Sequence, residues 1–202
     1  MYITYFIIAI TCLVSLIAIN DDRIKRQLLL NPNDVVEYRK WYRMLTHGFV
    51  HADFIHLFFN MYVLYIFGVG VEANFMDLFK TRGYMMYPLF YISAILFAGL
   101  PALIKHKDNP AYNSLGASGA VMAVLFVFIL FFPTVELRFF FIPIDIPAFV
   151  MGPILLLLEY VLAKRGRTNI AHDAHIAGAV YGLIFIIIAK PEILSLFIKQ
   201  FG

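Results

Sequence analysis

The sequence predicts an all-α, polytopic membrane protein: a bundle of six transmembrane helices forming one domain over residues 1–202. Two observations carry this expectation. Hydrophobic residues fill 62% of the chain and charged residues only 14%, with Phe alone supplying 21 positions. Soluble domains are instead about 45–50% apolar and about 25% charged. Six apolar runs also approach the roughly 20 residues that a helix needs to cross about 30 Å of hydrocarbon. A mean hydropathy of +0.81 agrees, so a lipid bilayer is the expected solvent. The net charge of +3 comes from loops, and no Lys/Arg block is interleaved with aromatics, so no nucleic-acid partner is expected. The lone Cys12 has no partner for an intrachain disulfide and belongs to no metal motif.

The runs fall at residues 1–20, 54–73, 84–104, 115–132, 147–163 and 171–189. The first lacks a basic start and is too long for a signal peptide, so it reads as a retained anchor. Pro191 closes the sixth, since proline continues a helix poorly. The long first loop, 21–53, has a turn signal at Pro32–Asn33 and an amphipathic stretch from Tyr38 to Arg43 suited to the headgroup level. The fourth loop, 133–146, is apolar and broken by Pro133 and Pro143. Eleven of the 16 Lys and Arg residues lie in the odd-numbered loops, which by the positive-inside rule would place those loops in the cytoplasm.

Strongly polar groups inside spanning helices are costly and mark functional sites by default. Three groups stand out: His56 and Asn60, with His51 just before; Gly116–Ala117–Ser118–Gly119; and His172–Asp173–Ala174–His175, followed by Gly178 and Gly182. His56 and Asn60 are four residues apart and share a helix face. Ser118 falls in the first turn of the fourth helix, where backbone N–H groups lack intrahelical partners and suit a developing oxyanion. His175, Gly178 and Gly182 lie along one face, and Gly119 and Ala123 offer a matching strip of small residues. Close approach of these strips would bring His175 against Ser118, and a serine needs such a base to become a nucleophile.

Other polar residues have plainer readings. Asp173 is two residues from His175, so it points to nearly the opposite face and a Ser–His dyad fits better than a triad. His51 reads as structural, and His47 and His106 as solvated. His172 reads as capping or wetting the mouth of the sixth helix, and Glu159 as snorkelling to the interface. No His-Glu-x-x-His occurs, and the polar histidines could bind a metal only with added carboxylates, so neither a metal nor another cofactor is expected.

These patterns, from about Trp41 to Gly182, resemble the rhomboid intramembrane serine proteases. The resemblance rests on Tyr42–Arg43–Met44–Leu45–Thr46–His47, on His51, His56 and Asn60, on Gly116–Ala117–Ser118–Gly119, and on Ala174–His175–Ile176–Ala177–Gly178 with Gly182. It implies a Ser118 nucleophile, a His175 base, and an oxyanion site from His56, Asn60 and the Ser118 N–H. It further implies transmembrane protein substrates and a gate formed by the fifth helix. Family topology puts both termini in the cytoplasm, against the charge bias, and is preferred here. A bacterial plasma membrane is the expected location. Met122 stands where some members carry an aromatic beside the base, and Ala123 where glycine is common, which would loosen the contact between helices four and six. The competing readings are a catalytically silent relative that binds membrane clients, and a transporter, against which the lack of an internal repeat counts.

Overall fold

The computed structural model describes residues 2–139, 142–165 and 170–202. Met1 at the start of the first run and Arg167 of the fifth loop lie outside the described residues. Each expected span has its helix: α1 (Ile3–Asn20) is followed in the first loop by α2 (Asp22–Leu28), α3 (Pro32–Glu37) and α4 (Arg43–Thr46). Then come α5 (Phe54–Phe79), α6 (Gly83–His106) and α7 (Ser118–Phe131). A hairpin of β1 (Glu136–Phe139) and β2 (Ile142–Pro147) leads to α8 (Ala148–Arg165), α9 (His172–Ala189) and α10 (Ile193–Ile198). By length and composition α1, α9 and the α5–α6 pair are fit to cross a membrane. Their large apolar side chains, such as Ile55, Met85, Ile104 and Ile188, stay exposed on the outer faces. This is a multi-pass integral membrane protein whose outside is dressed for lipid.

Helix α7 occupies the centre. Eleven of its 14 residues are buried, and at 1.5 Å per residue it is about 21 Å long, shorter than the roughly 30 Å hydrocarbon layer. Its neighbours α5, α6, α8 and α9 all pack on it. Contact with α9 is closest because it is made without side chains: a Cβ at Gly178 would sit on the Gly119 carbonyl, and one at Gly182 would lie 2.6 Å from the Ala123 carbonyl oxygen. Ala123 is fully buried and its backbone takes Gly182 directly, so the alanine leaves this contact close. On the opposite side of Gly119 stands Ala98 of α6.

Several expectations are corrected. Helix α5 runs on to Phe79, past residue 73, because the intramembrane Glu72 is satisfied. Its carboxylate accepts from the Ile3 and Thr4 N–H groups (3.2 and 2.9 Å) and the Thr4 hydroxyl (2.7 Å). One buried acid therefore caps the exposed donors at the start of α1, and Thr4, Ile7, Thr11, Ser15 and Ala18 form the buried stripe of that helix. Pro32 does not make a turn; it opens α3 at the first helical position, with the Asn31 side chain accepting from Asp34 N–H, a placement that suits its fixed φ. Arg43 does not face outward with the rest of its stretch but is buried, donating to the Arg26 and Leu29 carbonyls at 2.7 Å each and pairing with Asp34 at 3.0 Å. The fourth loop is not irregular: an antiparallel hairpin closed by Arg138 and Asp145 at 2.6 Å occupies its described part.

The α7–α9 contact leaves no room for a methyl group. Gly178→Ala is expected to destabilise the chain by about 1–3 kcal/mol through overpacking, read as a drop in thermal midpoint in detergent. The lipid-facing control Val180→Ala should stay within about 0.5 kcal/mol of wild type.

Candidate active site

The glycine contact between α7 and α9 sets two first turns side by side. Ser118 opens α7 and His175 lies in the first turn of α9, and Ser118 Oγ stands 2.7 Å from His175 Nε2. This is hydrogen-bond distance for a hydroxyl and an imidazole nitrogen. The first bond within α7 is that from Val121 N–H to the Ala117 carbonyl, so the N–H groups of Ser118, Gly119 and Ala120 precede the ladder and point toward the helix start.

The turn leading into Ser118 is held by the first loop. Leu30 and Ser114 exchange both backbone bonds at 2.9 Å, and Gly116 N–H donates to the His47 carbonyl at 2.9 Å. Ala117 N–H donates to His51 Nε2 at 3.3 Å. That makes Nε2 an acceptor, so Nδ1 carries the proton and donates to Ser15 Oγ at 2.8 Å, whose hydroxyl passes on to the Phe49 carbonyl at 2.8 Å. His51 is thus a neutral structural strut. Burial first, and the neighbouring His56 second, push its pKa down to about 3.

His56 lies against the same turn. A Cβ at Gly116 would come within 2.7 Å of its Cε1 and 2.9 Å of its Nε2, and Gly116 has φ +118, a left-handed conformation that favours glycine. The His51 and His56 rings meet edge-on, 4.9 Å apart. Asn60 is buried one turn further along α5, with Nδ2 donating to the His56 carbonyl at 2.9 Å; its second N–H is left as a donor. Ser118 and His175 are therefore joined directly and His56 sits beside them. Asn60 is bonded within its own helix and makes no bond to the Ser118/His175 pair among the described residues.

Glu159 does not snorkel. Its carboxylate reaches inward from α8, with Oε1 3.0 Å from His175 Nδ1 and Oε2 2.6 Å from His172 Nδ1. The His175 contact has ion-pair distance, yet Nδ1 lacks an aligned hydrogen bond. The carboxylate missing from the sequence reading is thus supplied by α8. The only available signal was that Glu159 is the sole acid in the fifth run. His172 is buried and paired with Glu159 rather than capping a mouth. Asp173 turns away to Lys105 at 2.6 Å. Met122 packs beside the Leu125, Ile129 and Ala148 cluster.

Neither of the two histidines expected in solvent is free there. His106 is half-buried and stacked on Tyr112, with ring centroids 3.7 Å apart. His47 is buried, and burial lowers its pKa to about 4. Beside Ser118, a cavity of about 10 Å³ is lined by His47, Gly99, Ser114, Gly116 and Ala174, room for about one water.

Ser118 and His175 are thus joined at the starts of two tightly packed helices of a multi-pass bundle. The Rhomboid domain profile matches residues 38–192. RHOMBOID-like protein 12, mitochondrial, from Arabidopsis thaliana is 32% identical over 70% of this chain and 44% of its own length. Presenilin-associated rhomboid-like protein, mitochondrial, from Rattus norvegicus is 29% identical over 71% of this chain and 37% of its own. Rhomboid-like protein 11, chloroplastic, from Arabidopsis thaliana is 27% identical over 72% and 51%. The chain belongs to the rhomboid family. It spans about half or less of the length of these relatives, whose names are organellar and lend no support to the bacterial plasma membrane expected above.

Two buried neutral histidines carry a pH signature. Folded-state pKa values of about 4 for His47 and about 3 for His51 lie below the ordinary value of about 6.5. Below that value the unfolded chain binds protons that the folded chain refuses, so the stabilisation is complete above pH 6.5 and declines as pH falls toward 4. The thermal midpoint should fall across this window, and His47→Leu should make the fall shallower.

Proposed function

We propose that the chain is an intramembrane serine endopeptidase that hydrolyses peptide bonds of transmembrane proteins. The observation that carries this reading is the 2.7 Å contact of Ser118 Oγ with His175 Nε2, set at a helix start within a lipid-facing bundle. His175 Nε2 takes the hydroxyl proton as Oγ attacks the scissile carbonyl carbon. The tetrahedral oxyanion is met by the Ser118 N–H, His56 and the second N–H of Asn60. His175 then returns its proton to the leaving amine, and the C–N bond breaks to give an acyl-enzyme. A water placed in the small cavity beside Ser118 loses a proton to His175 as it attacks the ester carbonyl, and His175 returns that proton to Ser118 Oγ as the C–O bond breaks and the carboxylic product leaves.

Glu159 turns the expected dyad toward a triad. A carboxylate beside Nδ1 favours the tautomer with its proton there, leaving the Nε2 lone pair for Ser118. Substrate enters past α8, which buries only Ala148, Met151 and Gly152 near its start and leaves Leu157, Leu158 and Tyr160 exposed. A catalytically silent role has the joined Ser118 and His175 against it, since a client-binding surface has no use for that pair.

In liposomes holding a labile transmembrane substrate, Ser118→Ala and His175→Ala are each expected to lower cleavage by at least about 10³-fold. A serine-directed covalent probe should label wild type at Ser118; absence of labelling and of cleavage in wild type sinks the proposal. Glu159→Gln should lower kcat by roughly 10- to 100-fold with little change in KM, because it alters the base and not the contacts with substrate.

A further inference from the structure

The cluster behind His175 has the composition of a metal site. Glu159, His172 and His175 each offer one donor atom, and all of these lie within 4.8 Å of one another. Tetrahedral zinc binds imidazole nitrogen and carboxylate oxygen at about 2.0–2.1 Å, which places neighbouring ligand atoms roughly 3.4 Å apart. The contacts of 2.6 Å from His172 Nδ1 to Glu159 Oε2 and 3.0 Å from His175 Nδ1 to Glu159 Oε1 are shorter than that spacing, so the ligand atoms would spread by under about 1 Å to admit the ion. His172 and His175 are three apart on one face of α9, while Glu159 comes from α8, so two packed helices share the ligands. The set is borderline in softness, suiting zinc over magnesium or calcium. His175 Nδ1 is itself buried, 3.0 Å from Glu159 Oε1 without an aligned hydrogen bond.

We propose that Glu159, His172 and His175 form an inhibitory divalent-cation site of the zinc type, in which the ion occupies Nδ1 of the His175 imidazole. A neutral imidazole carries one N–H. When a metal takes the Nδ1 lone pair, that proton must sit on Nε2, which then donates to Ser118 Oγ and has no lone pair to accept the serine proton. The carboxylate arrangement does the opposite, keeping the proton on Nδ1 and the lone pair on Nε2. Ion and base function therefore compete for a single atom, and the ion also draws Glu159 away from its positioning role. The inhibitory consequence rests on the hydrolytic reading above, whereas ion binding itself does not.

The test uses the full chain in detergent with buffered free zinc. Ser118→Ala should retain about one zinc per chain after desalting, and cobalt(II) in its place should give the intense visible absorption of a tetrahedral site. His172→Gln and Glu159→Gln should each weaken zinc retention by at least about tenfold. Wild-type cleavage and probe labelling at Ser118 should fall together as zinc is added and recover with EDTA. Retention that is absent, or unchanged in both variants, overturns the site; a cobalt spectrum of the hydrated ion overturns it without relying on either variant. Saturating zinc at this site with undiminished cleavage overturns the inhibitory role. A wild type that binds zinc through these residues yet cleaves nothing in zinc-free buffer supports the site while removing the hydrolytic reading.

Discussion

The backbone contact between α7 and α9 is the constraint on which the remainder depends. Gly178 lies on the Gly119 carbonyl and Gly182 on the Ala123 backbone, so the two helix axes approach more closely than side chains would permit. Ser118 and His175 flank this contact in sequence, one residue before Gly119 and three before Gly178. Their 2.7 Å separation is then fixed by main-chain packing, with no need for side-chain adjustment. Ala98 presses on Gly119 from α6, making this the meeting point of three helices.

A short central helix leaves irregular chain at its start, and nonhelical backbone near the hydrocarbon must find partners in protein. The first loop provides them. Leu30 pairs with Ser114, the His47 carbonyl takes Gly116 N–H, and His51 takes Ala117 N–H. Arg43 in turn fastens that loop through the Arg26 and Leu29 carbonyls. The loop is thus a rigid support for Ser118, and its polar residues are buried for that reason.

All six spans were legible because lipid solvation imposes long apolar runs, and the Ser118–His175 pairing was legible because small residues recur at helical spacing beside both. What escaped were interactions between distant segments whose partners no periodicity reveals. Glu159 reads as a snorkelling acid because it lies near an end of the fifth run, yet α8 turns it toward His175. His47, His106 and His172 lay at segment borders, where local composition reads as wet, and tertiary packing covers all three to different degrees. Glu72 carries no local signal, since its partners, the N–H groups of Ile3 and Thr4, are nearly seventy residues away. The hairpin of β1 and β2 was hidden by its prolines, which a two-stranded ribbon with open edges tolerates.

The Glu72 cap bears on how the chain is built. Helix α1 leaves the ribosome before α5, and its leading N–H groups lack the Glu72 acceptor until α5 has been synthesised. Helix α5 in turn carries an acid whose release into lipid alone is costly. Each helix is an incomplete membrane element until it meets the other, so α1 and α5 are expected to dock beside the insertion machinery before either disperses into the bilayer. The docking of α1 on α5 is thereby a polar event, formed before α7 and α9 exist.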